Sequence, residues 1–187
     1  MKTPRLVLAF LACAVALIAL PELADAASRA RDARCENTRL QPSAGNLGAV
    51  RAAVLCLHNR ERAERDLPRL KESKKLGEAA TKHSDHMVDA GFFAHDTPSG
   101  TSMTDRIVRT GYAGDDGWTL GENIAWGTGE LATAAEIQRA WMESPGHRAN
   151  VLRREFHEIG IGIALGAPVG ARGRNGATYT ADFGARR

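Results

Sequence analysis

The segment HEIGIGIAL, residues 157–165, decides the class of fold. Bulky residues alternate there with very small ones, in the order Ile159, Gly160, Ile161, Gly162, Ile163 and Ala164. Strict alternation predicts a β-strand, because successive side chains of a strand point to opposite faces of its sheet. One face of this strand is expected to be bulky and apolar, and the other nearly bare. The bare face would allow the backbone of another element to approach closely.

A second alternating segment and four helical segments complete the expected fold. Residues 178–183 alternate again, and the glycine- and arginine-rich residues 167–176 are expected to connect the two strands. Upstream, apolar residues at helical spacing predict helices over residues 47–67, 74–90, 101–109 and 131–144. The expected boundary residues are Asn46, Pro68, Ser73, Gly91, Gly111 and Ser144. Residues 119–126 are ambiguous. Helices followed by strands predict an α+β domain with an antiparallel sheet.

The first 26 residues have the features of a secretory signal peptide. Lys2 and Arg5 precede an apolar run over residues 6–20, and residues 24–26, Ala-Asp-Ala, offer small residues at the two positions that a signal peptidase reads. The apolar run is shorter than the roughly 20 residues that a membrane-spanning helix needs. A membrane anchor and a lipoprotein acylated at Cys13 are the alternatives.

Cleavage after residue 26 would leave a leader segment, residues 27–46, and one domain, residues 47–187, large enough to bury a core. We therefore expect a protein of the periplasm or the exterior, monomeric and without a stable membrane span. The chain has 25 basic and 22 acidic residues, a net charge of +3, and most of its basic residues are scattered. This mild excess argues against a nucleic-acid partner.

Two cysteines, Cys35 and Cys56, remain after cleavage. Export to an oxidising compartment favours a disulfide between them, and two free buried thiols are the alternative. The disulfide would tie the leader segment to the first helix.

Four polar side chains do not suit their surroundings. They are His95 after two phenylalanines, Glu122 in GENIAWG, Glu143 near the end of the fourth helix, and His147 in PGHRAN. Histidine and carboxylate groups together can hold a divalent metal, perform acid–base chemistry or form a structural hydrogen-bond network. The sequence contains no His-Glu-x-x-His, Cys-x-x-Cys or Gly-x-Ser-x-Gly motif, so it does not choose among the three.

Two further pairs of residues could carry chemistry. His83 and His86 are three residues apart on the second predicted helix and could chelate a metal, but His83 lies on the apolar stripe, which favours a buried core histidine. Ser144 and His147 could act as nucleophile and base. Serine is common at helix ends for structural reasons, and no carboxylate is fixed to orient that histidine.

Five segments resemble the bacterial CAP superfamily (cysteine-rich secretory protein, antigen 5 and pathogenesis-related 1; also called the SCP domain) in order and spacing. They are LHNRERAERDLPRL, AATKHSDHMVDAGFFAHDTPSGTSMTDRI, GENIAWG, WMESPGHRANVL and HEIGIGIAL. The resemblance extends from about residue 48 to 184. It implies an α-β-α sandwich, with helices on both faces of a small, largely antiparallel sheet.

The resemblance also implies a central cleft lined by two histidines and two acidic residues. His95 matches the first histidine, Glu122 the glutamate of GEN, and His147 the histidine of GHRAN. Glu143 is the candidate for the second acidic position, at which many bacterial members have a neutral residue. A Pro-Gly turn after Ser144 would aim His147 across the cleft. Five residues are interpreted as structural: Asn59 and Arg62 of an N-x-x-R pattern, Asn123, and Arg148 and Asn150 as anchors of the His147 loop.

Members of this family are secreted and functionally diverse, so the resemblance leaves three hypotheses open. The first is a non-catalytic binding module for a small apolar ligand, such as a lipid or sterol, or for a cell-envelope component. In this hypothesis the cleft can take zinc or another divalent cation through His95 and His147. The second is a metal-dependent or acid–base hydrolase acting on peptides or cell walls. The third is a purely structural role for the cleft residues.

Overall fold

The computed structural model describes residues 35–114, 117–170 and 175–186. The predicted signal peptide, with Cys13, and residues 27–34 of the predicted leader segment lie outside these ranges. Within them, no helix has the length and apolar character needed to cross a bilayer.

Five α-helices, one short 3-10 helix and four strands form the described part of the chain. The helices are α1 (Leu47–Ala63), α2 (Lys74–Ala90), α3 (Met103–Arg109), α4 (Ala134–Glu143) and α5 (Pro145–Val151), with the 3-10 helix at Gly129–Ala132. The strands are β1 (Lys71–Glu72), β2 (Trp118–Thr128), β3 (Glu158–Leu165) and β4 (Gly176–Arg186).

The four strands form one sheet in the order β1-β3-β4-β2. β4 pairs antiparallel with both β3 and β2, and the two residues of β1 pair parallel with β3. This arrangement confirms the predicted α+β class and the largely antiparallel sheet. β1 was not predicted, because two exposed residues carry no periodicity. It is held by backbone hydrogen bonds from Lys71 to His157 and from Ser73 to Ile159.

One face of the sheet, which we call the apolar face, carries the main core. Its sheet residues are Ile159, Ile161, Ile163, Tyr179, Ala181 and Phe183. They pack against α1, α4 and α5, which contribute buried side chains such as Leu57, Trp141 and Val151. Full burial of one large apolar side chain stabilises a fold by about 1.5–3 kcal/mol. The apolar face therefore supplies most of the hydrophobic stabilisation.

The opposite face, which we call the polar face, is lined by Gly160, Gly162, Thr178, Thr180, Asp182 and Glu122. A Cβ atom on Gly160 would overlap the backbone at Leu76 and Gly77, and one on Gly162 would overlap the backbone of Ala80. Helix α2 thus lies directly on the bare strand, as the alternation of β3 predicts. Ser84 of α2 donates a hydrogen bond to the Thr180 hydroxyl across this contact.

Several boundaries differ from the sequence-based expectation. Helix α1 ends at Ala63 rather than near Pro68, because Asp66 adopts a positive φ of 51° and turns the chain. Asn46 precedes α1 but does not cap it, because its side-chain oxygen accepts from the Ser43 amide. The fourth helix begins at Ala134 rather than Leu131, after the 3-10 turn. The ambiguous residues 119–126 lie in β2.

The interpretation of Pro145 and Gly146 as a turn is wrong. The extended backbone of Ser144 ends α4, and Pro145 then begins the separate helix α5. Proline suits the first position of a helix, since the amide hydrogen it lacks would have no partner there. His147 therefore lies on a helix rather than on a loop.

The disulfide between Cys35 and Cys56 is confirmed, with a sequence separation of 21. It joins the segment before α1 to the middle of that helix. Closing a loop of this length stabilises the fold by about 3 kcal/mol in the chain-entropy description.

Asn59 and Arg62 of α1 are both buried and bind backbone groups of neighbouring loops. Asn59 exchanges two hydrogen bonds with the backbone of Leu70. Arg62 donates to the carbonyl oxygens of Pro68, Val151, Arg153 and Phe156. Arg62 thereby ties α1 to the end of α5 and to the segment that leads into β3.

Candidate functional site

Glu122 of β2 is the buried centre of the site. It lies in register with Asp182 of β4, on the polar face, and its side chain is only 1% exposed. Because side chains alternate along a strand, the next residue, Asn123, points to the other face and toward α5. β2 is an edge strand of the sheet, and the backbone carbonyl of Glu122 accepts a hydrogen bond from Asn150 of α5.

Both carboxylate oxygens of Glu122 are engaged. Nδ1 of His95 donates to Oε1 at 2.8 Å, and a guanidinium nitrogen of Arg106 donates to Oε2 at 2.6 Å. An ionised carboxylate can only accept hydrogen bonds, so Nδ1 of His95 carries the proton in this contact. The Arg106 guanidinium also donates to the backbone carbonyl of His95 at 2.8 Å. Arg106 therefore fixes the histidine and the glutamate at the same time.

Local signals in the chain bring His95 and Arg106 to Glu122. Helix α2 ends at Gly91, whose φ of 71° belongs to the left-handed region that favours glycine, and the chain then turns back toward the sheet. Helix α3 begins with a capping box in which Ser102 and Asp105 exchange hydrogen bonds. Arg106 follows this cap directly and points its guanidinium into the site.

The contacts move the pKa values of the two partners apart. The hydrogen bond to Glu122 is the largest influence on His95 and raises its pKa above 6.5, although burial opposes this. Burial disfavours the ionised form of Glu122, but the hydrogen bond from His95 and the charge of Arg106 outweigh it and hold the pKa of Glu122 below its ordinary value. The pair is therefore favoured as imidazolium and carboxylate.

Asn123 and Asn150 fix helix α5 against the edge strand. Asn123 donates to the carbonyl oxygen of His147 at 2.9 Å. Asn150 donates to the carbonyl oxygen of Glu122 at 3.1 Å and to the side-chain oxygen of Asn123 at 2.9 Å. This attachment brings His147 near His95. The pKa of His147 is lowered, mainly by burial and secondarily by the charge of His95.

The structure brings His95, Glu122 and His147 together, and we call these three residues the cleft. It leaves Glu143 outside, which corrects the expectation of a second acidic group at that position. Glu143 is exposed on α4 and accepts two hydrogen bonds from Arg139, one turn away. Arg139 also binds Glu136, so Glu143 belongs to an exposed ion-pair group on α4.

Arg148 does not anchor the His147 segment, which is a second correction. It is exposed, and its side chain makes no hydrogen bond or ion pair with any residue in the described ranges. Helix α5 turns it outward, and the two asparagines supply the attachment instead.

The donor set of the cleft does not fit a zinc site with three protein ligands. In the described ranges, no group of three or more His, Cys, Asp or Glu side chains is placed to hold one metal ion. Catalytic zinc sites usually have three protein ligands and one open position. Both oxygens of Glu122 are hydrogen-bonded to His95 and Arg106. The ligands that the cleft offers to a cation are therefore the imidazoles of His95 and His147.

His83 and His86 occupy different environments. His83 is fully buried, its Nε2 lies 3.0 Å from the carbonyl oxygen of Ala94, and burial lowers its pKa to about 4. His86 is exposed and packs edge-on against Phe92. His83 is thus the buried core histidine that the sequence favoured.

Sequence reasoning missed two charged residues beside the cleft, Arg106 and Asp182. Arg106 has a sequence signal, since it directly follows the capping box of α3. Asp182 also has one: it is a single carboxylate within an otherwise apolar or hydroxyl-bearing strand segment, TYTADF. Charged groups are seldom buried unless they are paired or neutralised, so each of these signals favours a partner without identifying it.

A cavity of about 280 Å³ lies next to the cleft, between α2, α3 and the residues that join them. Its lining includes Lys82, His86, Thr97, Thr101, Arg106 and Arg109. Arg106 thus forms part of this cavity while it binds Glu122. The lining offers several hydrogen-bond donors, although more of its surface is apolar than polar, so a ligand there would meet both kinds of surface.

Known proteins resemble this chain in sequence and in fold. The uncharacterized protein YkwD of Bacillus subtilis is 35% identical over 131 residues, which are 70% of this chain and 49% of that protein. An extracellular SCP-domain protein of Bacillus anthracis is 27% identical with a TM-score of 0.57, over 76% of this chain and 41% of that one. An outer surface protein of Borrelia burgdorferi has a TM-score of 0.60 at 19% identity, over 72% of this chain and 90% of that one.

The chain spans about half or less of the length of the curated relatives it matches. The profile of the Cysteine-rich secretory protein family, CAP, matches residues 55–180, a range that includes α2, α3, α4, α5, β2 and β3 and the three cleft residues. Fold and sequence agree: this chain belongs to the CAP, or Cysteine-rich secretory protein, family.

Proposed function

We propose that this protein is a non-catalytic binding module that works outside the cytoplasm. The observation that carries this proposal is the occupation of both Glu122 oxygens, by His95 and by Arg106. A carboxylate held in this way orients the imidazole beside it, and its side chain is only 1% exposed, so solvent water does not reach it. General-base catalysis needs a base within hydrogen-bond reach of the proton that it removes.

Three features support a location outside the cytoplasm. Residues 1–26 have the pattern of a signal peptide. The disulfide between Cys35 and Cys56 suits an oxidising compartment, since cytosolic thiols are kept reduced. The Bacillus anthracis protein of similar fold is described as extracellular.

We propose a polar component of the cell envelope as the ligand, rather than a lipid or sterol. The cavity beside the cleft is lined by hydroxyl groups and cationic side chains, including Thr97, Thr101 and Arg109. Polar groups buried by an apolar ligand would lose their hydrogen bonds to water, at a cost of about 1–3 kcal/mol each. A saccharide or peptide carrying its own polar groups would replace those bonds.

For a divalent cation, the cleft offers the imidazoles of His95 and His147, and we propose at most weak binding there. The hydrogen bond from Nδ1 of His95 to Glu122 leaves Nε2 as the metal-binding nitrogen of that ring. Two imidazoles without a third protein ligand fall short of the usual zinc site.

The second candidate function is an acid–base hydrolase. It is favoured by one observation, the opposite displacement of the pKa values of His95, which is raised, and His147, which is lowered. Neighbouring groups displaced in this way are suited to serve as acid and base.

One experiment separates these functions. Purified protein lacking residues 1–26 is mixed with isolated bacterial cell walls, and both the sedimented protein and the soluble fragments released are measured. The variants are His95→Ala/His147→Ala and, as a matched control outside the cleft, Glu143→Gln. We expect the wild-type protein and the control to sediment with the walls, the double variant to bind at least tenfold more weakly, and no fragments to be released.

Two results would contradict the binding proposal. Release of wall fragments that disappears in the double variant would favour the hydrolase. Equal sedimentation of wild type and double variant would leave the cleft residues a structural role. Calorimetric titration with zinc, on the same three proteins, tests the cation separately: micromolar or tighter binding lost in the double variant would refute the weak-binding proposal.

A further inference from the structure

Asp182 is a buried carboxyl group that is not one of the three cleft residues. It lies in the middle of β4 on the polar face, and its residue surface is 0% exposed. Its cross-strand neighbours are Glu122 on β2 and Gly160 on β3. The glycine has no side chain, so Glu122 is the cross-strand partner whose side chain can meet Asp182.

The hydrogen bonds around Asp182 are incomplete if it is ionised. Neither of its side-chain oxygens accepts a hydrogen bond from a donor in the described ranges. The polar group within hydrogen-bonding reach is the Glu122 carboxylate, which is itself an acceptor. Two acceptors can be joined only by a proton between them. A proton on Asp182 converts an unpaired buried acceptor into a donor directed at Glu122.

The surrounding charges favour the neutral form of Asp182. Burial and the negative charge of Glu122 both raise the pKa of Asp182 well above its ordinary value, and the charge of Arg106 opposes them. The two terminal nitrogens of the Arg106 guanidinium donate to Glu122 and to the His95 carbonyl, and its buried Nε makes no hydrogen bond to Asp182. On α2, the titratable group near Glu122 is His83, whose pKa of about 4 keeps it neutral near pH 7. Two adjacent buried carboxylates do not both ionise when one cation serves them.

We propose that Asp182 is a neutral carboxylic acid that donates its proton to Glu122. It is a positioning residue: Asp182 holds Glu122, Glu122 holds His95, and His95 presents its Nε2 to the cleft. Glu122 is then the one ionised carboxylate of the group, balanced by Arg106 and by the imidazolium of His95. This proposal goes beyond the binding function and does not depend on it, because it concerns the protonation state of a group beneath the cleft.

The first test is the pH dependence of stability in wild type and in Asp182→Asn. A carboxyl that is protonated in the folded protein and ionised in the unfolded chain gives the folded state one extra proton above the unfolded pKa of about 4. Stability from this group is therefore fully present below pH 4 and is lost as pH rises toward the folded pKa. Asparagine has an amide donor of the same shape and does not titrate. We expect the wild-type unfolding constant, divided by that of Asp182→Asn, to rise about tenfold per pH unit above pH 4.

The matched control is Asp89→Asn, at an exposed position on α2. The wild-type unfolding constant, divided by that of Asp89→Asn, is expected to stay nearly constant over the same pH range. A flat ratio for Asp182→Asn as well would overturn the proposal, because it would mean that Asp182 is ionised in both states.

The second test can refute the proposal with the wild-type protein alone. The infrared C=O stretching band of a protonated carboxyl is separate from the bands of carboxylates, and at pH 7 ordinary Asp and Glu side chains are ionised. We expect such a band in the native wild-type protein at pH 7, retained in Asp89→Asn and lost in Asp182→Asn. Absence of the band in the native wild type would refute the neutral acid.

A third measurement, the NMR titration of His95, tests whether Asp182 acts through Glu122. The NMR titration of His95 should be unchanged in Asp182→Asn, because one neutral donor replaces another beside Glu122. If Asp182 were ionised, removing its charge would lower the pKa of His95, by about one unit or more for a nearby charge. Such a fall would contradict the proposal even if the protein remained fully folded.

Discussion

The two faces of the sheet use the same strands for different purposes. On the apolar face, β3 and β4 contribute Ile161, Ile163, Tyr179 and Phe183 to a core shared with α1 and α4. On the polar face, the intervening positions are mainly glycine and threonine with a single aspartate, and α2 lies at backbone distance from Gly160 and Gly162. Alternate residues of one strand thus belong to environments of opposite chemistry.

This difference shows how a small domain can bury ionisable groups. Burial of charged or polar groups disfavours folding unless every group finds a partner. The apolar face supplies the stabilising area, so the polar face can hold Glu122, Arg106 and Asp182 beneath the cleft. The two faces should therefore respond differently to mutation and to pH.

The largest expected effect is on the helix layer of the apolar face, at Arg62. Arg62→Met removes donors from four backbone carbonyl oxygens. A buried acceptor left without a donor costs about 1–3 kcal/mol. Because some carbonyls will recover water, we expect the free energy of unfolding to fall by about 4 kcal/mol in urea titrations.

The control for this change is Arg60→Met, at a half-buried position on the same helix. It should alter the free energy of unfolding by no more than about 0.5 kcal/mol. If Arg62→Met and Arg60→Met have equal effects, Arg62 is not a tie between α1 and the end of α5.

The next effect concerns the disulfide, which fastens residues 35–46 to the same helix layer. Cys35→Ser/Cys56→Ser should lower the free energy of unfolding by about 3 kcal/mol, because the unfolded chain regains the entropy of an open loop. Reductant should destabilise the wild type by a similar amount and leave the double variant unaffected. Sensitivity of the double variant to reductant would contradict this account.

On the polar face, Gly162→Ala tests the close approach of α2. The added Cβ would overlap the backbone of Ala80, so the helix must move away from the sheet. Overpacking of this kind costs about 1–3 kcal/mol, and we expect a loss of about 2 kcal/mol in the free energy of unfolding. The control is Gly48→Ala in α1, where a Cβ would meet nothing within 4 Å. That change should be neutral or stabilising, by up to about 1 kcal/mol.

The smallest expected effect is the change in free energy of unfolding per pH unit that arises from a histidine on the apolar side of the sheet. His58 of α1 is a buried titratable group of the apolar layer, in ring contact with Trp141 and Phe183, and burial lowers its pKa to about 4. Between about pH 4 and 6.5 the unfolded chain binds one more proton than the folded protein. The contribution of His58 to the free energy of unfolding is therefore fully present above pH 6.5 and is lost as pH falls toward 4. The slope is about 1.4 kcal/mol per pH unit.

His58→Phe should lack this slope, so the difference in free energy of unfolding between wild type and variant should change with pH by that amount. Its sign is opposite to the slope proposed for Asp182, whose burial raises rather than lowers the pKa. Thermal unfolding measured from pH 4 to 7 on both variants gives the two slopes directly. Slopes of the same sign would contradict the claim that the two faces respond oppositely to pH.

Part of the fold could be predicted because its signals are local. The alternation of isoleucine with glycine in β3 identified a strand with one bare face, and Gly91 marked the end of α2. β2 was ambiguous because residues on both of its sides are buried, so no simple alternation appears in the sequence. Pro145 was misinterpreted because proline both ends a helix and suits the first position of the next one.

The candidate site divides in the same way. His95, Glu122 and His147 were recognisable from three short motifs, and the structure brings them together. Glu143 was selected by position along the chain, but the turn of α4 points it at Arg139. Arg106 and Asp182 were missed, because their importance comes from a neighbour that is 16 residues away for the arginine and on another strand for the aspartate.

The sequence by itself determined the periodicities, the family, the disulfide pair and the identity of the cleft residues, since each depends on residue types at short separations. The tertiary structure alone decided which groups are paired and which are neutral. Hydrogen-bond partners and desolvation depend on distances between distant segments, so the pairing of Glu122 with Arg106 and the burial of Asp182 exist only once β2, β4 and α3 have packed together.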